Sequence, residues 1–172
     1  MDESGFLLQQ VVRRTRAPRG CTPIQYRWDR HDRLSAISAI TVSPQRRRLG
    51  LYFALHEHNI RAPEVEAFAA DLLVHLPRGL LLVLDRSQPH RSAVGRLKKR
   101  FPRRLRIEWL PPYAPDLNPD EQVWTQTKYG DLANFIPDDV TDLRQAVHDS
   151  LQRTGTQQSL LRSFFKHAKL KL

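Results

Sequence analysis

The sequence predicts an α/β fold, a mixed sheet with helices packed on it, on three observations. Strand-like runs come first, and the rest follows in the order strand, helix, strand, helix, helix. The apolar period switches from alternation to helical spacing near residue 62. "GLLLVLD" (79–85) is a continuous apolar run ending in an acid, the pattern of a strand buried on both faces.

Each element has its own warrant. Phe6 to Val12 is apolar apart from Gln9 and Gln10, and is expected to be the first strand. Pro18 and Gly20 break the Arg-rich residues 13–22 into a loop. "RLSAISAITVS" (33–43) and "RRLGLYFALHE" (47–57) alternate as half-buried strands do, with "SPQRR" as the hairpin turn between them. From Ala62 to Leu76, Val65, Phe68, Ala69, Leu72, Leu73 and Leu76 recur at helical spacing, with Pro63 near the start and Gly79 past the end. Ser92 to Phe101 reads as a short basic helix and "LRIEWL" (105–110) as a further strand. Asn118 opens a helix reaching to about Phe135. Asp138 or Asp139 caps a last helical region, broken at Gly155 and resumed over Leu160–Lys169. A parallel strand ending in Asp85 places that acid at the carboxyl edge of the sheet, where such folds bind ligands.

Composition bounds the function. The 172 residues make one domain with a core. No run approaches the ~18 apolar residues of a membrane span, and residues 1–20 lack the pattern of a secretory signal. The single cysteine, Cys21, sits in a Gly-Cys-Thr-Pro turn, excludes an internal disulfide and fits a reducing compartment. Lys plus Arg number 28 against 18 acids, a net of +10. Residues 13–48 carry +8 and residues 86–106 carry +9, so the remainder sums to −7. Two basic segments in an otherwise acidic chain point to a polyanion, because phosphate contacts supply most non-specific nucleic-acid affinity. Solvated faces are the plainer account of such runs. Nothing in the sequence forms a Gly-rich phosphate loop, a Ser/His/Asp set or a nicotinamide site.

The acids are more particular. In "LPPYAPDLNPDEQVW" (110–124), Pro111, Pro112, Pro115 and Pro119 stiffen the approach to a helix and remove four amide donors. Glu121 has two readings. As the third residue after Asn118 it completes a capping box, folding back on the Asn118 amide for about 1 kcal/mol. Alternatively it converges with Asp85 and with Asp2 of "MDESGF" on a common site. Three such carboxylates would repel and raise one another's pKa. Divalent cations relieve that, and a pair of them roughly 3.5–4 Å apart serves in-line phosphoryl transfer. All-oxygen donors suit Mg²⁺ or Mn²⁺ better than zinc. His56 and His58 alternate on one strand but have no third ligand in sequence reach.

"DESGF", "RRTRAPRGCTP", "LDRSQPH" and above all "LPPYAPDLNPDEQVW" resemble the DDE transposases of bacterial insertion sequences allied to mariner elements. The resemblance runs from Asp2 to about Phe135. It implies a ribonuclease H-like fold: a mixed five-stranded sheet with helices on both faces, a truncated first strand and a helical C-terminal tail. Residues 1–135 would be the catalytic domain and 136–172 a helical extension. Asp2, Asp85 and Glu121 would be the catalytic acids and metal ligands, holding two Mg²⁺ or Mn²⁺ ions; the third acid follows the second by 36 positions, the family's short spacing. Glu3 belongs to the motif, yet neither it nor Asp120 matches a ligand position, and Arg86 stands where relatives often have Asn.

The implied chemistry is cleavage and transfer of DNA strands. A water or a DNA 3′-hydroxyl attacks a phosphodiester, with no covalent protein intermediate. DNA contacts are expected from Arg13, Arg14, Arg16, Arg19, Arg86, Arg96, Lys98, Lys99 and Arg100. His90 would touch the scissile phosphate or else cap the next helix. Lys128 would touch the backbone or else face solvent, and Trp124 would pack in the core. The resemblance implies as partners double-stranded DNA at transposon ends and target, a second copy of the chain, and a helix-turn-helix product of a separate upstream frame. The expected location is the bacterial cytoplasm, at the nucleoid. Beginning one residue before its first acid, the chain reads as one frame of a split transposase or as a decayed remnant. Two further alternatives are an inactive DNA-binding product and a metal-dependent nuclease without strand transfer; a purely structural protein leaves the acids unexplained.

Overall fold

A computed structural model of the chain describes residues 1–8, 11–24, 32–112 and 114–172. Gln9 and Gln10 of the expected first strand, residues 25–31 of the first basic segment, and Tyr113 of the proline loop lie outside the described residues. Strands β1 (Asp2–Leu7), β2 (Arg33–Val42) and β3 (Leu49–His56) form an antiparallel sheet in that order. The β2–β3 hairpin closes as its alternation predicts, through Ser43 N to Arg48 O at 2.8 Å and Arg46 N to Ser43 O at 2.7 Å. Helix α1 (Ala62–His75) follows, then β4 (Leu80–Leu84), α2 (Gln88–Arg100) and β5 (Leu105–Trp109), with β4 and β5 parallel. A 3₁₀ turn at Pro115–Leu117 leads into α3 (Asp120–Thr125), which widens into a π-helical segment, Gln126–Asp131. Helices α4 (Val140–Thr156) and α5 (Gln158–His167) end the fold.

The pleat of β2 explains the layers. Leu34 and Ala36 point to one side and Ile37 and Ala39 to the other, as period-two alternation requires. Ile37 and Ala39 meet α1 and α2 in a cluster with Leu72, Leu84 and Leu97. Leu34 and Ala36 meet α3, α4 and α5 in a second cluster with Val123, Leu151 and Leu161. The three-stranded sheet is thus covered on both faces.

Five strand and helix details differ from expectation. First, β1 lies at Asp2–Leu7, not Phe6–Val12. Its ladder runs from Asp2 opposite Ser38 to Leu7 opposite Arg33, so pairing with β2 overrides the polar character of Asp2 to Ser4. Second, the five strands form three plus two rather than one ladder, because β1 reaches β4 only where the Met1 ammonium donates to Val83 O at 3.3 Å. Third, β4 is buried on one face only. Leu82 and Leu84 are internal, but Leu81 and Val83 are 58% and 41% exposed, since the helices of the second layer lie against β1 to β3. Fourth, the helix expected from Asn118 to Phe135 begins at Asp120 and changes to π geometry at Gln126. Fifth, the last break is at Gln157. Gly155 stays helical, close under Leu51 Cβ at 3.4 Å from where its own Cβ would be.

Candidate active site

The carboxyl end of β4 delivers Asp85 into a turn that starts α2. Its Oδ1 accepts from Ser87 N at 3.1 Å and from His90 Nδ1 at 2.5 Å. His90, in the first turn of α2, has no solvent exposure, and its Nε2 lies 2.6 Å from Glu3 Oε1 on β1. That second contact is a close ion pair without hydrogen-bond alignment. His90 therefore does not cap α2, whose N-cap is Ser87. With Asp85 and Glu3 on its two ring nitrogens it is a buried clamp between β4 and β1.

Alternation along β1 sends Asp2 to the opposite face from Glu3. Asp2 is buried beside α3, where its Oδ2 accepts from Trp124 Nε1 at 3.2 Å. Trp124 also meets Phe6 edge-on at 6.1 Å, so its packing role holds, with a bond to Asp2 added. Asp120 pairs with the Met1 ammonium at 2.8 Å and accepts from Ser38 Oγ at 3.1 Å. The capping box for Glu121 is not formed, because the Asn118 amide is taken by Pro115 O at 2.8 Å. Asn118 Oδ1 instead accepts from Asp120 N at 3.2 Å. Released from capping, the Glu121 side chain lines a cleft of about 430 Å³ with Asp85, Arg86, Arg91, Asn118 and the prolines at 111, 112 and 115.

The charges are unevenly balanced. Burial, then the charges of Glu121 and Asp120, push the Asp2 carboxyl up to about 7; the Met1 ammonium opposes them without cancelling them. Asp85 is held down at about 2, chiefly by the hydrogen bond from His90, against partial burial. Burial by itself would lower His90, but the hydrogen bond to Asp85 and the close contact with Glu3 outweigh it and raise the imidazole to about 9. Lys128, expected to touch the DNA backbone or else face solvent, is half-buried. It donates to Ser4 Oγ at 2.7 Å, stands 5.1 Å over the Phe6 ring, and has its pKa lowered by burial although Glu121 and Asp2 pull the other way.

The acids meet in pairs. Asp85 and Glu121 share the cleft, Asp2 couples to Glu121 by charge, and Asp85 reaches Glu3 through His90. Their all-oxygen donors and the raised Asp2 fit a hard divalent cation. Among the described residues, however, no three His, Cys, Asp or Glu side chains already stand within reach of one ion. His58 pairs with Glu64 at 3.3 Å, and its ring lies 5.3 Å from that of His56.

The basic residues divide similarly. Arg86 lines the cleft and donates to Leu110 O at 3.4 Å. Arg13 donates to Tyr129 O at 3.0 Å and stacks over the Tyr129 ring at 5.4 Å, pinning its segment to the end of the π helix. Arg14, Arg16 and Arg19 are exposed beyond it. Arg96 is paired with Glu66 at 2.5 Å, Arg100 lies over the Phe101 ring at 5.0 Å, and Lys98 and Lys99 are exposed. Glu3 and Asp120 are the site residues that sequence reasoning set aside. The only signal for Glu3 was its place in "DESGF", next to Asp2.

Replacing His90 by Gln is expected to cost about 2 kcal/mol near neutrality, discounted because Asp85 is partly exposed. The raised imidazole stabilises fully below its ordinary 6.5 and loses the effect as pH climbs through about 9. Thermal unfolding of both proteins across that range should show the gap closing. A gap independent of pH would reduce His90 to packing.

A family model described as "DDE superfamily endonuclease" matches residues 1–144. No curated protein matches the chain. Among solved structures, the Mos1 mariner paired-end complex with Mn superposes at TM-score 0.65 and 13% identity, covering 98% of this chain and 50% of that one. The Mos1 strand transfer complex gives 0.64 at 14%, covering 97% and 50%. The mariner Mos1 paired-end complex with Mg gives 0.62 at 11%, covering 97% and 52%. At these identities the likeness concerns the fold, the ribonuclease H-like one expected, and the chain spans about half the length of the chains it resembles. A family match running from Met1 through the cleft and on into α4 fixes the assignment: the chain belongs to the DDE superfamily endonucleases.

Proposed function

We propose that this chain supplies the catalytic part of a transposase, cutting DNA strands and joining their 3′ ends with Mg²⁺ or Mn²⁺. The observation that carries this reading is the cleft shared by Asp85 and Glu121, acids 36 residues apart, with Asp2 coupled to Glu121 behind it. Asp2, Asp85 and Glu121 would hold the metal, as two ions. Bound there, divalent cations would acidify the attacking hydroxyl and stabilise the departing oxygen. The chain's own residues position the substrate. Arg86 and Arg91 set positive charge in the cleft for a phosphodiester, and the prolines hold one wall in a fixed shape before DNA arrives. His90 keeps Asp85 ionised and aimed, and Lys128 offsets Asp2 and Glu121 from the side.

Residues 1–135 carry the chemistry on this reading, and 136–172 brace the sheet face behind Asp2. The solved structures it resembles are paired-end and strand transfer complexes with Mn or Mg. They support DNA as the partner. On this reading the chain also works with a second copy of itself and with a helix-turn-helix module on a separate product, at the bacterial nucleoid. No described helix is long and apolar enough to cross a membrane.

The test is nicking of supercoiled DNA. Mg²⁺ or Mn²⁺ should support it, a chelator should abolish it, and a labelled 3′ end should become joined to a target duplex. Nicking without joining would leave a nuclease. Salt-dependent binding with no nicking would favour the inactive product, the outcome to which the His90 hold on Asp85 gives weight.

A further inference from the structure

Helix α2 leads away from the cleft, and its outward face carries an anomaly. Gly95 sits in the middle of this 13-residue helix and is exposed. A Cβ built on it would meet nothing within 4 Å. A mid-helix glycine weakens a helix relative to alanine, and here no turn, positive φ or internal close approach requires one. The helix packs through His90, Ala93, Val94 and Leu97, on its other side. What surrounds Gly95 at helical neighbour positions is Arg91, Ser92, Lys98 and Lys99, all exposed. Arg91 also lines the cleft, and its guanidinium is steadied by Gln88 Oε1 at 3.1 Å. Arg96 is drawn aside to Glu66.

We propose that this face is a seat for the sugar–phosphate backbone of the DNA that enters the cleft. The missing side chain of Gly95 lets a phosphate come down onto the helix, between Arg91 on the cleft side and Lys98 and Lys99 beyond. The inference rests on the reading of DNA as substrate and adds the path it takes. From Arg91 to Lys98 is about 10 Å along the helix, the rise of roughly three phosphates of one strand. Contacts of this kind position a duplex without reading its sequence. An anionic membrane is the other polyanion, but the exposed face of α2 offers no apolar side chain to insert among lipids.

Two measurements on the full chain test it: thermal unfolding, and binding of a labelled duplex as a function of salt. Gly95→Ala should raise Tm and yet weaken duplex binding about tenfold, the worth of one charge-assisted contact. Gly95→Leu should weaken it further. Changing Lys98 and Lys99 together to Gln should lower the salt slope by about two. A raised Tm with unchanged affinity would overturn the seat, as would a lowered Tm, which would show that the protein itself needs the glycine. Loss of binding to phosphatidylserine vesicles with duplex binding intact would overturn it in favour of a membrane. If Gly95→Ala leaves affinity untouched while metal-dependent nicking is normal, only this inference fails. If it weakens binding in a chain that never nicks, only the endonuclease reading fails.

Discussion

Glu121→Gln should lower metal-dependent nicking by about a thousandfold or more, matching the several kcal/mol that metal coordination lends a phosphoryl-transfer transition state. Duplex affinity should hold or tighten, because the change removes a negative charge from the cleft proposed to receive phosphates. The substitution is clean for a structural reason. The Asn118 amide is already satisfied by Pro115 O, and α3 is held by buried Val123 and Trp124, so the amide variant loses no cap and no packing. Asp85→Asn is the companion. An amide oxygen at position 85 can still accept from Ser87 N and His90, so the turn survives while the charge goes. Asp116→Asn, on an exposed residue of the same loop, serves as the control and should change nothing. Single-turnover nicking, duplex affinity and Tm are read on all three. Full activity with lowered Tm in Glu121→Gln would restore the capping role and remove the acid from the chemistry.

Legibility in this chain followed the physics of each segment. The β2–β3 hairpin, α1 and the packed face of α4 could be read because alternation or helical spacing there answers directly to burial. β1 could not, because its place is decided by a ladder with β2 that apolar content does not encode. The exposed side of β4 was hidden for a related reason. Leu81 and Val83 are apolar like their buried neighbours, and only the packing of the second helical layer tells them apart. At the site, Asp85 and Glu121 were marked by a strand end and a proline-stiffened helix start, and they do face one cleft. The destinations of long side chains were not legible. Arg13 parks on Tyr129 and Lys128 on Ser4, choices made by tertiary neighbours and not by charge counts. His90 was visible as a site residue, but its role needed Glu3, which points away from Asp2 although adjacent to it in the chain.

That same opposition sets up the second large effect. Asp2 is buried against α3 with Glu121 and Asp120 as its electrostatic neighbours, and its carboxyl is raised from the ordinary 3.8 to about 7. In the unfolded chain it ionises at the ordinary value. Below that value it is protonated in both states and costs nothing. As pH rises toward 7 the unfolded state alone gains by ionising, so the fold loses stability across that window, to a limit of about 4 kcal/mol above it. Asp2→Asn removes the penalty and keeps an oxygen for Trp124 Nε1. The variant should therefore match the wild type near pH 4 and exceed it progressively toward pH 8, where a gain of about 2–4 kcal/mol would appear as a clear rise in Tm. Saturating Mg²⁺ or Mn²⁺ should raise the Tm of the wild type and leave that of Asp2→Asn in place, because a cation that binds the folded acids stabilises only a protein that still has them. The variant is thus expected to be the more stable protein and the inactive one. On the proposed function, the charge that strains the fold is the one a bound cation would meet. Equal metal-induced shifts in both proteins would separate Asp2 from the metal, and a Tm difference that ignored pH would remove the electrostatic account of its burial.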